Sequence, residues 1–146
     1  MSRNLYRSMI RVAHANPGPV RDALMPMIRS AKAKNVIDAY SDDYELRDLN
    51  YRDRRWLSPR QWEKVMTEAT PFGYNAFDAM HVGRWFKDIQ KRFGKIQIQP
   101  GREYSVVAYV KGPPEALAAL QTEARDEAHA DEYDMESDGT LRLWWD

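Results

Sequence analysis

The hydrophobic period of this chain changes at Gly94, and that change limits the fold more than any other feature. Before it, apolar residues recur at helical spacing; after it, they alternate. Across residues 75–95, about 100° per residue puts Val82, Phe86, Ile89 and Phe93 on one stripe with Trp85 at its edge. Arg84, Lys87, Lys91 and Lys95 fall on the opposite side, Arg92 flanks them, and Asp88 is the only acid in that arc. Gly94 stands where a helix C-cap is expected. From residue 95 to 99 the pattern alternates with Ile96 and Ile98 inward, Pro100-Gly101 marks a turn, and residues 104–110 are rich in β-formers. Helices followed by strands make an α+β plan.

The remaining elements fit around that helix. Residues 1–34 read as an N-terminal helical hairpin. Leu5, Met9 and Val12, with Ile10 and Ala13, make one apolar face, and Arg3, Arg7 and Arg11 recur every four residues elsewhere on the same helix. Asn16-Pro17-Gly18 turns the chain, and Pro19 opens a second helix through Val20, Leu24, Met27, Ile28 and Ala31. Pro26 is expected to kink or split that helix. Residues 35–57 read as a polar, tyrosine-rich connector, with the alternative that Tyr40, Tyr44 and Tyr51 tuck onto the core. Residues 58–146 form the α+β core domain. There Ser58, Pro59 and Gln61 supply a capping box and first turn for a helix over 58–69, with Trp62, Val65, Met66 and Ala69 inward. Residues 115–129 form another helix, with Leu117, Leu120 and Ala124 inward. Asp138-Gly139 is a strong turn signal joining strands at 133–136 and 141–145. The expected order is thus an N-terminal helical hairpin, two central helices and a β-hairpin–helix–β-hairpin unit.

The run Leu5-Tyr-Arg-Ser-Met-Ile-Arg-Val-Ala-His-Ala-Asn-Pro17, followed by Val20-Arg-Asp-Ala-Leu-Met-Pro26, resembles a short helical leader of bacterial and phage proteins. The usual form is Leu-Ile-Arg-Leu-Ala-His/Tyr-x-Asn-Pro-x-Leu-Arg-x-x-Leu-Leu-Pro-Leu-Leu. The resemblance covers residues 5–28, implies a bacterial or phage source, and carries no catalytic residue. The chain departs from the form at Pro17-Gly-Pro19, which tightens the turn. With no acid before Asp22, the same stretch also has the Arg-rich, acid-poor composition of a transit peptide.

Composition narrows the chemistry. Five Trp, eight Tyr and four Phe in 146 residues describe a packed globule. The absence of cysteine removes disulfides, thiolate metal sites and a cysteine nucleophile, and suits a reducing cytoplasm, which the leader resemblance implies is that of a bacterial or phage-infected cell. No apolar run reaches the length needed to span a membrane. Net charge is zero, yet residues 1–102 hold 19 Lys/Arg against 11 Asp/Glu, and residues 103–146 hold 3 against 11. Such a split suits nucleic-acid contact by the basic part, head-to-tail homo-oligomer formation, or neutralisation of one half by the other.

Dedicated catalytic motifs are missing. His14, His81 and His129 fall on three elements, and only Asp78 with His81 has a helical spacing, as in a surface hydrogen bond; no metal or cofactor is expected. Gly-x-Ser-x-Gly and phosphate-loop glycine patterns are absent. The carboxylates Asp131, Glu132, Asp134, Glu136 and Asp138 read as a solvated acidic edge, and no enzyme activity is expected.

Three sequence signals point to nucleic acid. The first is the basic face of Arg84, Lys87, Lys91, Arg92 and Lys95, which an ordinary solvated helix face also explains. The second is the cluster Arg52, Arg54, Arg55 and Arg60 with Trp56, a composition that grips phosphate and stacks a base, or else pairs with Asp42, Asp43 and Asp48. The third is element order: two helices and then a hairpin resemble a helix-turn-helix with a wing, in which Lys95 and Arg102 would touch backbone. A four-stranded sheet presenting Tyr104 or Tyr109 would instead stack single-stranded RNA. The sequence therefore reads as a small non-enzymatic nucleic-acid-binding protein, RNA preferred to DNA. The alternative is a phage-encoded protein-interaction module, an adaptor or host-factor inhibitor, docking through residues 1–34 or 123–138.

Overall fold

A computed structural model describes residues 5, 8, 9, 12, 13, 15, 16, 18–30, 51–70 and 73–146. The expectations for Tyr40 and Tyr44, for Asp42, Asp43 and Asp48, and for Arg3, Arg7, Ile10, Arg11 and His14 lie outside the described residues. Helices come first, and an antiparallel sheet with an interleaved helix follows. Among residues 5–15 those described are helical, and α1 spans Pro19–Ser30. α1 runs on through Pro26 rather than splitting there. Met9 and Ala13 are buried within the main core and Leu24 packs against it, so the N-terminal helices are attached to the body.

Residues 51–57, at the end of the stretch expected as a connector, run along the sheet. β1 (Tyr51–Arg52) pairs antiparallel with β2 (Gln97–Glu103), setting Tyr51 opposite Arg102 and Arg52 opposite Gly101. The Asp53 N–H then donates to the Pro100 carbonyl at 2.8 Å, and Leu57 and Ile98 exchange two backbone bonds of 2.8 Å. α2 (Pro59–Ala69) starts on the expected capping box: Ser58 accepts from the Gln61 N–H, and the Gln61 side chain accepts from the Ser58 N–H. Ser58→Ala is expected to cost about 1 kcal/mol, read as a lowered urea midpoint.

α3 (Ala79–Phe93) is the central strut, lying between α2 and the later helix over Pro114–Ala128. It begins four residues later than the periodicity suggests. Tyr74 and Phe77 exchange backbone hydrogen bonds of 3.0 and 2.9 Å around Asn75, whose φ is 53°, so a tight turn uses up the chain before the helix. Asp78 then caps α3, accepting from the N–H groups of Met80 and His81. Val82, Phe86 and Ile89 are fully buried, as the stripe requires.

The first hairpin differs from its expected form. β2 does not stop at Pro100-Gly101 but continues to Glu103, and the turn falls at Tyr104 before β3 (Ser105–Lys111). A proline is tolerated mid-strand because the Pro100 carbonyl faces Asp53, so its missing N–H also faces the short β1 edge and no bond to β3 is lost. Beyond Gly112, α4 (Pro114–Ala128) leads to β4 (Glu132–Met135) and β5 (Leu141–Trp145), joined through Asp138-Gly139 with Gly139 at φ 84°. The sheet order is β1-β2-β3-β5-β4, antiparallel throughout.

One face of the sheet (Ile98, Val106, Ala108, Val110, Leu141, Leu143 and Trp145) packs with the helices. The other carries Arg52, Gln99, Glu103, Tyr109, Lys111, Arg142 and Trp144 by the pairing register. Among the described residues no helix is long and apolar enough to cross a membrane.

Candidate nucleic-acid interface

The cations of the α3 face divide into bound and unbound groups. Lys87 forms an ion pair with Glu63 of α2. Arg92 bridges Asp88 at 3.1 Å and Glu123 of α4 at 3.1 Å, and these hydrogen bonds raise its pKa. Arg84, Lys91 and Lys95 are exposed and have no ion partner among the described residues. Two of the five cations are thus committed to ion pairs, and the other three carry none among the described residues.

The residues before α2 also divide. Asp53, buried to 6% exposure, accepts from the backbone and side chain of Arg55 at 2.8 to 3.2 Å, which commits Arg55 to a local turn. Arg52 reaches across β2: its Nε donates to Gln99 Oε1 at 2.5 Å, and its guanidinium lies 3.9 Å from the centroid of the Tyr109 ring. Trp56 is half-buried, with the Lys111 ammonium 4.1 Å from its ring centroid. Arg54 and Arg60 are exposed without an ion partner among the described residues.

Arg102 is a correction. Expected after a turn and against backbone, it lies mid-strand on the inward face of β2 at 1% exposure, because the strand runs through Pro100-Gly101. Its Nη2 donates to the Tyr74 hydroxyl at 3.0 Å. The helix-turn-helix analogy is also corrected. Residues 70–78 separate α2 from α3, longer than the usual short turn, and β2–β3 is the middle of a sheet instead of a projecting wing.

Register does bring some expected residues together. Leu57 lies opposite Ile98, Gln97 lies opposite Lys111, and a Cβ on Gly112 would meet the Lys95 carbonyl at 3.2 Å. The hand-over from α3 to β2 therefore gathers Lys95, Lys111 and Trp56, with Lys91 one helical turn back and Arg60 in the adjoining first turn of α2. Lys111 was not evident beforehand; its only sequence sign is its place at the end of an alternating run before Gly112. Arg84 lies seven residues before Lys91, about 10 Å along the axis of α3.

On the sheet face turned from the helices, Glu103 organises a second polar group. Its carboxylate accepts from Arg142 Nε at 2.8 Å, from Arg142 Nη2 and from the Tyr109 hydroxyl, and Arg142 Nη1 also donates to Glu132 at 2.6 Å. Burial pushes the Glu103 pKa up, but the hydrogen bonds from Arg142 and Tyr109 outweigh it and leave the group below the usual carboxylate range. Burial and the Glu103 contact push Tyr109 up to about 12. A depressed carboxylate stabilises the fold above its unfolded pKa and is lost as pH falls through its folded value. A raised phenol stabilises below its unfolded pKa and is lost between about pH 10 and 12. Urea midpoints are therefore expected to be flat from near-neutral pH to about pH 10 and to fall on both sides. Tyr109→Phe is expected to flatten the alkaline side.

Two histidines also meet. The His81 and His129 rings stack at 6.2 Å between centroids, and His81 Nε2 donates to the Glu127 carbonyl at 2.5 Å. Asp78 is occupied as the α3 cap, and Asp138 accepts from Thr140 in the β4–β5 turn, which lowers its pKa. No group of three or more His, Asp or Glu is placed to hold a metal among the described residues. No family model, curated protein or solved structure matches the chain.

Proposed function

We propose that the protein is a non-enzymatic nucleic-acid-binding protein of a bacterial or phage-infected cytoplasm, with RNA preferred to DNA. The observation that carries this reading is the end of the body where α3 becomes β2. Lys91, Lys95 and Arg60 are exposed there and have no ion partner among the described residues, beside the Lys111–Trp56 pair. Unpaired cations release counterions from a phosphate backbone, and an aromatic ring among them offers a base a stacking partner. The RNA preference rests on the sheet, whose outer face holds Trp144 and, at its rim, Tyr104 at 68% exposure. Titration of labelled single-stranded RNA, single-stranded DNA and duplex at low salt tests the reading. Binding strongest to single-stranded RNA is the expected result, and binding to none of the three overturns it.

The protein-interaction reading keeps one favouring observation in each of its two regions. Val12 and Val20 are 46% and 45% exposed on the N-terminal helices, and Met135 is 47% exposed within the acidic stretch 123–138. Self-association or partner docking that Val12→Ser with Val20→Ser removes, in a protein that binds no nucleic acid, would favour that reading.

A further inference from the structure

The outer face of the sheet holds a depression of about 430 Å3, within the size range of small-ligand sites. Its lining combines the guanidinium groups of Arg52 and Arg142 and two carboxylates with three aromatic side chains. Most of these groups are committed to one another. Arg142 is tied to Glu103 and Glu132, the Tyr109 hydroxyl is tied to Glu103, and Trp144 Nε1 donates to the Glu103 carbonyl at 2.9 Å. Arg52 is different. The Gln99 hydrogen bond and the Tyr109 ring hold its plane, while its two terminal nitrogens have no hydrogen-bond partner among the described residues and the side chain is exposed. A guanidinium fixed in this way presents a planar fork to an oxyanion with little rotamer entropy left to lose.

The rim supplies the second observation. Tyr104 occupies the hairpin tip at φ 62°, a left-handed conformation that suits glycine, and its side chain is 68% exposed. A bulky residue in a strained backbone position gains little from burial there, and such outliers concentrate at ligand-facing sites. Tyr109, the other candidate for stacking, is covered by Arg52 and only 7% exposed. That leaves Tyr104 and the half-buried Trp144 as the rings that face the depression.

We propose that this depression is a single-nucleotide site, with phosphate on the Arg52 fork and the base against Tyr104 and Trp144. The site deepens the nucleic-acid reading and rests on it for one source of its ligand, an unpaired nucleotide of a bound strand. A free nucleoside monophosphate carries the same chemistry. Arg52 lies on the β1 edge, so a strand gripped at the Lys95–Lys111 end reaches it along β3, from Lys111 to Tyr109.

The test is an NMR titration of the full chain with uridine 5′-monophosphate, uridine and inorganic phosphate at millimolar concentrations, beside polarisation with labelled oligouridine. Uridine monophosphate is expected to shift the Trp144 indole and Tyr104 signals, with uridine and phosphate each weaker. Tyr104→Gly is expected to weaken that binding about tenfold while the melting temperature stays the same or rises, which a merely structural tyrosine would not do. Arg52→Gln is expected to make binding of the monophosphate as weak as that of uridine. No shift at these residues, or equal shifts with phosphate alone that survive Tyr104→Gly, overturns the site. If oligouridine still binds in that case, the general nucleic-acid reading stands without it. If only the monophosphate binds, the site stands with a free nucleotide as ligand and the polymer reading falls.

Discussion

Trp62→Ala is expected to destabilise the fold by about 3–5 kcal/mol, a large share of the roughly 5–15 kcal/mol that holds a domain together. Trp62 is fully buried and meets Phe86 and Phe77 edge-on, with ring centroids 4.8 and 5.9 Å away. It therefore joins α2, the 73–78 turn and α3 in one aromatic cluster, which Phe77 extends to Trp145 of β5 at 5.0 Å. A phenylalanine replacement separates packing from polarity. The Trp62 indole nitrogen is buried without a hydrogen-bond partner among the described residues, whereas that of Trp145 donates to the Ala128 carbonyl at 2.8 Å. Trp62→Phe removes an unsatisfied donor along with some volume, while Trp145→Phe strands a buried acceptor, a penalty of about 1–3 kcal/mol. Urea denaturation should rank Trp145→Phe as the more damaging of the two. Equal losses would contradict the account of how these helices are fastened to the sheet.

The parts of this fold that were legible in the sequence are the parts set by neighbours in the chain. Ser58 and Gln61 are three residues apart and cap α2 as expected. The Val82, Phe86 and Ile89 stripe identifies the buried side of α3 without reference to any other element. Asp138-Gly139 turns β4 into β5 because its backbone preference agrees with the alternation on both sides. Pro100-Gly101 shows the opposite case. Its local preference for a turn yields to pairing with β3 on one side and a short edge on the other, and the turn moves to Tyr104, a residue with no turn signal. That shift buries Arg102.

The candidate site was partly legible for the same reason. The composition of 52–60 and of the α3 face showed which cations exist, but their partners lie on other elements. Glu63 neutralises Lys87 from α2, and Glu123 meets Arg92 from α4. Lys111 reaches Trp56, and Arg52 reaches Tyr109, only because β1 and β2 align with β3 in a particular register. Sequence spacing carries no information about such pairings.

Reversing charge where α3 meets β2 is expected to have the largest effect on binding. Lys91→Glu, Lys95→Glu and Arg60→Glu together replace with acids three exposed cations that have no ion partner among the described residues, and none of the three side chains contributes to the core. The fold should therefore survive, with a thermal transition close to that of the unaltered protein. Each cation that neutralises a phosphate of a single strand contributes about −0.7 to the slope of log K against log salt. Losing three contacts should flatten that slope by about 2 and cut low-salt affinity by orders of magnitude. Arg84→Glu, about 10 Å back along α3 from Lys91, should change both quantities much less. Comparable losses from Arg84→Glu alone would move the interface to the opposite end of the helix.

The most direct measurement is the affinity of the full chain for labelled single-stranded RNA across a range of salt concentrations, set beside that of the Lys91→Glu/Lys95→Glu/Arg60→Glu variant. A steep fall with salt in the unaltered protein, with binding lost in the variant, is the predicted result. Absence of binding at low salt, or binding that neither salt nor the three substitutions diminish, would contradict it.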